Sequence, residues 1–201
     1  MIKQLRPALV IVVLLTLLTG LAYPFAITGV AGVLFPRQAE GSLVTVDGKV
    51  VGSSLIAQGF SSDKYFHPRP SATTITDPKD PSKTIPKPYA ADSSGGSNLG
   101  PTNKALIDRI KADTDKLKAE NPGMPVPQDL VTTSGSGLDP DISPDGALFQ
   151  VPRIAKARKI SEDTLRDLIA RHTEGTTLGL FGEPRVNVLM LNLALDALPQ
   201  S

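Results

Sequence analysis

Between Arg6 and Arg37 the chain carries no charged side chain, and the stretch from Pro7 to Pro36 is mostly apolar. A helix needs roughly 20 residues to cross a hydrocarbon core of about 30 Å. The run that opens Ala8-Leu-Val-Ile-Val-Val-Leu-Leu supplies that length, so residues 8–30 are expected to form a transmembrane helix. Lys3 and Arg6 flank one end of it beside the N-terminus, whereas Arg37 is soon answered by Glu40 and Asp47. That bias predicts a cytoplasmic N-terminus, residues 1–7, and an extracytoplasmic remainder, residues 31–201. A cleaved secretory signal is the competing reading, with Gly20-Leu21-Ala22 as a small-residue cleavage site. Against it, apolar character continues through Tyr23, Phe25, Ile27, Val30, Val33 and Leu34, beyond the roughly 7–15 residues of a signal core.

Of 201 residues, the 165 after Pro36 are enough for one compact domain, with its core within about 37–201. Setting Lys3 and Arg6 aside, 19 of the 21 basic residues stand against 20 acidic ones, which gives no basic footprint for nucleic acid. The absence of cysteine excludes disulfides and thiolate metal sites. Within the apolar run, Thr16 and Gly20, and Ala22 and Ala26, are small-residue pairs one turn apart that would let a second helix approach closely. Pro24, between Ala22 and Ala26, is expected to kink the helix.

The outer region reads as α+β with few strands. Asp47-Gly48 suits the positive φ angles of a type I′ turn, so Ser42–Val46 and Lys49–Val51 are expected to form a β-hairpin. Ser61 to Thr102 is dense in Ser, Pro, Gly and Asp and is expected to be a long irregular loop. Leu106, Ile107, Ile110 and Leu117 fall at helical spacing, which predicts a helix from a Thr102 cap to about Glu120, ended by Asn121-Pro122-Gly123. Leu130–Thr133 reads as a short strand and Ser134–Asp145 as a loop. Four more helices follow. Ser143-Pro144 begins one, Pro152 begins a second that ends at Arg158, and Ser161 caps a third to about His172 with Leu165, Leu168 and Ile169 inward. Asn187 caps the last, through Leu198, with Val188, Leu191, Leu195 and Leu198 on one face.

No constellation in this chain assembles an independent catalyst. His67 and His172 sit in no ligand pattern. Ser61-Ser62-Asp63-Lys64 has an S-x-x-K spacing without its companion elements. Gly95 to Gly100 has the glycine spacing of a phosphate loop, but Pro101 and Thr102 stand where Lys and Ser/Thr must grip phosphate and magnesium. Asp139, Asp141, Ser143 and Asp145 alternate as in a calcium loop, yet Pro144 replaces the turn glycine and Gln150 the bidentate glutamate. Thr177-Leu-Gly-Leu-Phe-Gly182 has the look of a potassium filter with one residue too many, far from the apolar span. It reads as a glycine-punctuated turn.

Taken in order, a set of blocks resembles one family over essentially the whole chain. They are Arg6-Pro7-Ala8, Tyr23-Pro24, Gly41-Ser42-Leu43, Gly52-Ser53-x-Leu55-Ile56-x-Gln58-x-Phe60 and Tyr65-Phe66-x-x-Arg69-Pro70-Ser71-Ala72. Further along come Ser94-Gly95-Gly96-Ser97-Asn98-Leu99, Ser136-Gly137-Leu138-Asp139-Pro140-x-Ile142-Ser143-Pro144, Gln150 to Arg158 and Asn187 to Leu195. The family is the C subunit of the bacterial Kdp-type potassium-transporting ATPase; Ala57 departs from its pattern, which has glycine before Gln58.

The resemblance implies a non-catalytic accessory subunit of a high-affinity potassium uptake pump in the bacterial plasma membrane. Its partners would be a channel-like subunit that carries potassium and a P-type subunit that hydrolyses ATP, with lipid around the helix. ATP, magnesium and potassium would belong to the complex, with no cofactor held by this chain. The D-K-T-G-T phosphorylation sequence is absent, since Asp115-Lys116 continues Leu117-Lys118-Ala119, and Thr173-Glu174-Gly175 is not the dephosphorylation loop. The family is described as promoting assembly and as assisting nucleotide binding. Ser94, Gly95, Gly96, Ser97 and Asn98, faintly like the L-S-G-G-Q sequence of ABC ATPases, are the candidates for nucleotide contact. Tyr65, Phe66 and Arg69 are candidates for partner contact or for packing around the Pro-rich loop. Thr16, Gly20, Ala22, Pro24 and Ala26 become the expected packing face of the helix.

Overall fold

A computed structural model describes residues 2–199 of the chain. The protein is mixed α+β and divides into two compact units, one ending at Val51 and the other beginning at Gly52.

The first unit is dominated by a single helical rod, Leu5–Leu34, with mean hydropathy 2.3 in its most apolar stretch and none of that stretch buried. It comprises α1 (Leu5–Leu17), a π-helical turn (Leu18–Ala22) and α2 (Tyr23–Leu34). Thirty residues at 1.5 Å each give about 45 Å, more than the hydrocarbon core requires, so the rod is able to span a membrane. The π turn has a local cause. Pro24 lacks an N–H, and its ring crowds the carbonyl four residues earlier, at Gly20. The helix widens just before it, with the Tyr23 N–H reaching back five residues to the Leu18 carbonyl. The expected Pro24 disturbance therefore takes the form of a π turn, and Gly20-Leu21-Ala22 lies within it.

After Phe35 the short helix α3 (Pro36–Ala39) ends at Gly41 and Ser42, both at positive φ. The predicted hairpin follows as β1 (Leu43–Val46) and β2 (Lys49–Ser53), a two-stranded sheet. Asp47 and Gly48 have φ of 50° and 75°, the pair of positive values that a type I′ turn demands.

The second unit opens with extended chain and a further hairpin, β3 (Thr74–Asp77) and β4 (Asp80–Pro86). Here the expectation of irregular loop from Ser61 to Thr102 fails. Prolines are excluded from central strands, but both strands of an isolated pair are edges. Pro81 falls beside the register shift after Thr76, and Pro86 closes the strand opposite Thr74. Helix α4 (Lys104–Glu120) is capped by Asn103, whose side chain accepts the Ala105 N–H, rather than by Thr102. It buries no residue, and Ile107 is exposed, so its apolar positions line a shallow stripe only. The strand expected at Leu130–Thr133 is instead the end of a 3-10 turn, Gln128–Leu130. Leu130 and Val131 are buried consecutively, which an alternating strand face could not achieve.

The core gathers at the C-terminal side. Strand β5 (Asp141–Ile142) precedes α5 (Pro144–Phe149), α6 (Val151–Arg158) and α7 (Glu162–His172); β6 (Thr173–Glu174), β7 (Arg185–Asn187) and α8 (Val188–Asp196) complete the chain. The three strands form an antiparallel sheet in the order β5-β7-β6. Its helices start where the capping residues predict. Ser143, Ser161 and Asn187 accept the N–H groups of Gly146, Thr164 and Met190 at 2.9, 3.1 and 3.1 Å. Ile142, Val151, Ile154, Leu165, Ile169, Val186, Leu191 and Leu195 then close around Phe66, which comes from the preceding extended segment. Helix α6 begins at Val151, one residue before the expected Pro152.

Candidate functional site

Phe66 reaches the core because two buried amide side chains accept its segment as a strand would. Asn192 on α8 accepts the Phe66 N–H at 2.8 Å and donates to its carbonyl at 3.0 Å. Gln150, at the start of α6, does the same for His67, accepting at 2.7 Å and donating at 3.1 Å. Both amides are almost wholly buried, where an unpaired polar group is costly, so these bonds fix the segment's position as well as its strength.

Two arginines of α6 extend the clamp. Arg153 donates to Glu120 Oε1 at 2.7 Å, to the carbonyls of Asp63 and Tyr65, and to Gln150 Oε1. Arg158 donates to the Lys64 carbonyl at 2.7 Å and to Asp196 at 2.6 Å, and its guanidinium lies 4.8 Å from the centre of the Tyr65 ring. Tyr65 donates its hydroxyl to Asp196 at 3.0 Å. Arg69 bridges to Asp139 at 2.9 Å and lies on the Thr133 carbonyl, while its own carbonyl accepts the Tyr89 hydroxyl. Burial raises the Tyr89 pKa and keeps that hydroxyl a donor.

The structure thus brings Tyr65, Phe66 and Arg69 together along one extended segment and engages each within the chain. Phe66 is completely buried; Tyr65 and Arg69 keep part of their surface. Sequence reasoning named no role for Gln150, Arg153, Arg158 or Asn192. A signal was present in Asn192, a polar residue on the same helical face as Val188, Leu191 and Leu195.

The Gly-rich loop meets a second glycine-rich segment. Gly95 N–H and the Ser94 hydroxyl both donate to the Ser136 carbonyl, at 2.8 and 3.1 Å. A Cβ at Gly96 would lie 2.9 Å from the Gly135 carbonyl oxygen, so the glycine is needed for backbone contact. Ser97 lines a groove of about 470 Å³ with Leu99, Pro70, Pro86, Pro88 and Arg109. Arg109 is the one cation of that lining, and it is bridged to Asp113 at 3.1 Å. A triphosphate carries several negative charges and would find little to neutralise them there.

Of the alternating set, Asp139, Asp141 and Ser143 are likewise occupied. Asp139 holds Arg69 and accepts the Asp141 N–H; Asp141 faces Arg185 at 3.2 Å, and Ser143 caps α5. Burial, with the nearby charge of Asp139, raises the Asp141 pKa. Among the described residues no three His, Asp or Glu side chains cluster as metal ligands.

In the first unit Thr16, Gly20, Ala22, Pro24 and Ala26 all lie on the exposed rod. A Cβ on Gly20 would meet nothing nearer than the Thr16 methyl at 4.0 Å, so space beside it is open. Thr19 satisfies its hydroxyl internally on the Leu15 carbonyl at 2.7 Å, as apolar surroundings require.

The sequence has clear relatives among known proteins. Residues 5–197 match the family described as KdpC, the K+-transporting ATPase c chain. The chain is 70% identical over 198 residues to the potassium-transporting ATPase KdpC subunit of Methylobacterium nodulans, covering 98% of each chain. It is 68% identical over 197 residues to that of Rhodopseudomonas palustris strain BisB18, covering 98% of this chain and 99% of the relative. The corresponding subunit of Bradyrhizobium diazoefficiens is 64% identical over 196 residues, with 98% of each covered. On this agreement across nearly its full length, the chain belongs to the KdpC family of potassium-transporting ATPase subunits.

Proposed function

We propose that this chain is a non-catalytic accessory subunit that stabilises an ATP-driven potassium uptake complex. Its N-terminus is cytoplasmic, its helix packs on the channel-like, potassium-translocating subunit, and the domain from residue 31 onward lies outside, over the potassium entrance. The P-type catalytic subunit supplies the ATP hydrolysis. The observation that carries this reading is the rod Leu5–Leu34, apolar all round and without a buried residue in its own chain. Such a surface is stable only against lipid or another apolar helix.

What supports a structural rather than a chemical role for the domain is the use it makes of its polar groups. Gln150, Arg153, Arg158 and Asn192 bind the chain's own backbone. The rival, a catalytic chaperone that contacts ATP through Ser94 to Asn98, has less support, because Gly95 N–H and the Ser94 hydroxyl are taken by Ser136. A secreted binding module needs cleavage within a helical rod that continues unbroken to Leu34.

Gly20→Leu tests the assembly role. A Cβ at this position meets only the Thr16 methyl, at 4.0 Å, and Gly20 lies on the exposed rod, so the new side chain projects outward. Recovery of the full complex from mild detergent should fall about tenfold, as expected when a close helix contact is propped open. Unchanged recovery would count against the helix as an assembly surface.

A further inference from the structure

The loop between β6 and β7 carries the most exposed large apolar side chains of the second unit. Leu178, Leu180 and Phe181 are 85%, 80% and 65% exposed. The unit's other exposed large apolar residues, Leu55, Ile85, Leu99, Ile107 and Met124, are well separated in sequence, whereas these three sit within four residues. Apolar side chains concentrated at one tip mark an interaction site, where scattered ones do not.

The tip is also pre-shaped. Thr177 and Phe181 form a β-bridge, with the Thr177 N–H on the Phe181 carbonyl at 2.8 Å. The N–H groups of Leu180 and Phe181 both return to the Thr177 carbonyl, and that of Gly179 to Thr176. Leu178 is held at φ of 56°, a conformation that a branched apolar side chain adopts only under constraint. A loop that holds three apolar groups outward in a fixed shape loses little freedom on docking.

Charge distinguishes the possible occupants. A loop that enters an anionic lipid surface is flanked by Lys and Arg. This one is flanked by Glu174 and Glu183, and the neighbouring Arg185 is already bridged to Glu174 at 2.7 Å and Asp141 at 3.2 Å. We infer that the Leu178–Phe181 tip is a docking knob for an apolar pocket with a basic rim on the extracytoplasmic face of a membrane-embedded subunit of the same complex. This rests on the accessory-subunit reading and adds a second attachment point, independent of the helix.

The test places a photo-crosslinking amino acid at Leu180 in the full-length chain, co-expressed with its complex and irradiated in membranes. A crosslink to a membrane subunit of the complex is expected. A crosslink to lipid, or to a second copy of this chain, overturns the inference. So does no crosslink in a complex that still co-purifies, and in that case the accessory-subunit reading stands. Failure to co-purify any membrane subunit with the unmodified chain overturns both. As a second measurement, Leu178→Ser, Leu180→Ser and Phe181→Ser together should lower retention in the complex about tenfold or more. The chain's thermal midpoint should stay unchanged, because these side chains are exposed. Retention equal to the unmodified chain contradicts the inference.

Discussion

The apolar residues of the two units meet opposite fates. From Leu5 to Leu34 none is buried, whereas Phe66, Phe149, Ile154, Leu165, Leu191 and Leu195 are all but sealed from solvent. The difference lies in composition and patterning together. Helix α7 alternates Leu165, Leu168 and Ile169 with charged residues, so one face finds the core and the other finds water. The rod has no polar face, so its surroundings must be apolar on every side. One region folds by its own contacts; the other is completed by what lies outside the chain.

Breaking the inward region should therefore damage stability. The largest effect is expected from Phe66→Ala, which empties the centre of the core and should cost about 3–5 kcal/mol in thermal or denaturant unfolding. Asn192→Leu keeps the branching of the side chain and removes the amide, leaving both backbone groups of Phe66 buried without their partner. A loss of about 2–4 kcal/mol is expected by the same measurement. A loss under about 0.5 kcal/mol would mean that the clamp contributes little beyond shape.

A smaller effect concerns pH. Burial, reinforced by the charge of Arg153, lowers the His67 pKa from its ordinary 6.5. The unfolded chain then takes up a proton on His67 more readily than the folded one. The contribution is fully present above pH 6.5, is lost as pH falls from there through the lower folded-state value, and levels off beneath it. Unfolding curves of His67→Gln should show a flatter acid limb over that window, and an unchanged limb would contradict the assignment.

The strongest sequence signals were those whose physics is local. The charge-free run from Arg6 to Arg37, the Asp47-Gly48 turn and the caps Ser143, Ser161 and Asn187 each act within a few residues, and each is found where expected. The strands β5, β6 and β7 are two or three residues long and are defined by partners as far apart as Asp141 and Asn187, so no periodicity could reveal them. The hairpin β3–β4 did leave a trace, since Thr74-Ile75-Thr76 and Thr84-Ile85 alternate and pair Ile75 with Ile85. The prolines around them outweighed it.

The candidate site was legible as blocks and opaque as geometry. Tyr65, Phe66 and Arg69 stood out in sequence, but their clamp partners Asp139, Arg153, Arg158, Asn192 and Asp196 lie more than 60 residues away. The Gly95-Gly96 pair suggested a phosphate cradle, and its close approach to Gly135 depends on a segment 40 residues on that sequence spacing could not bring near.

The division between a membrane rod and an outer domain is most directly tested by thiol accessibility. The chain has no cysteine, so Ser97→Cys, with the exposed Asp92→Cys as a second reporter, can be probed on intact cells with a membrane-impermeant reagent. The account predicts that both label from outside before lysis. Protection in intact cells with labelling only after lysis would place the domain in the cytoplasm, restore direct access to ATP and contradict the account.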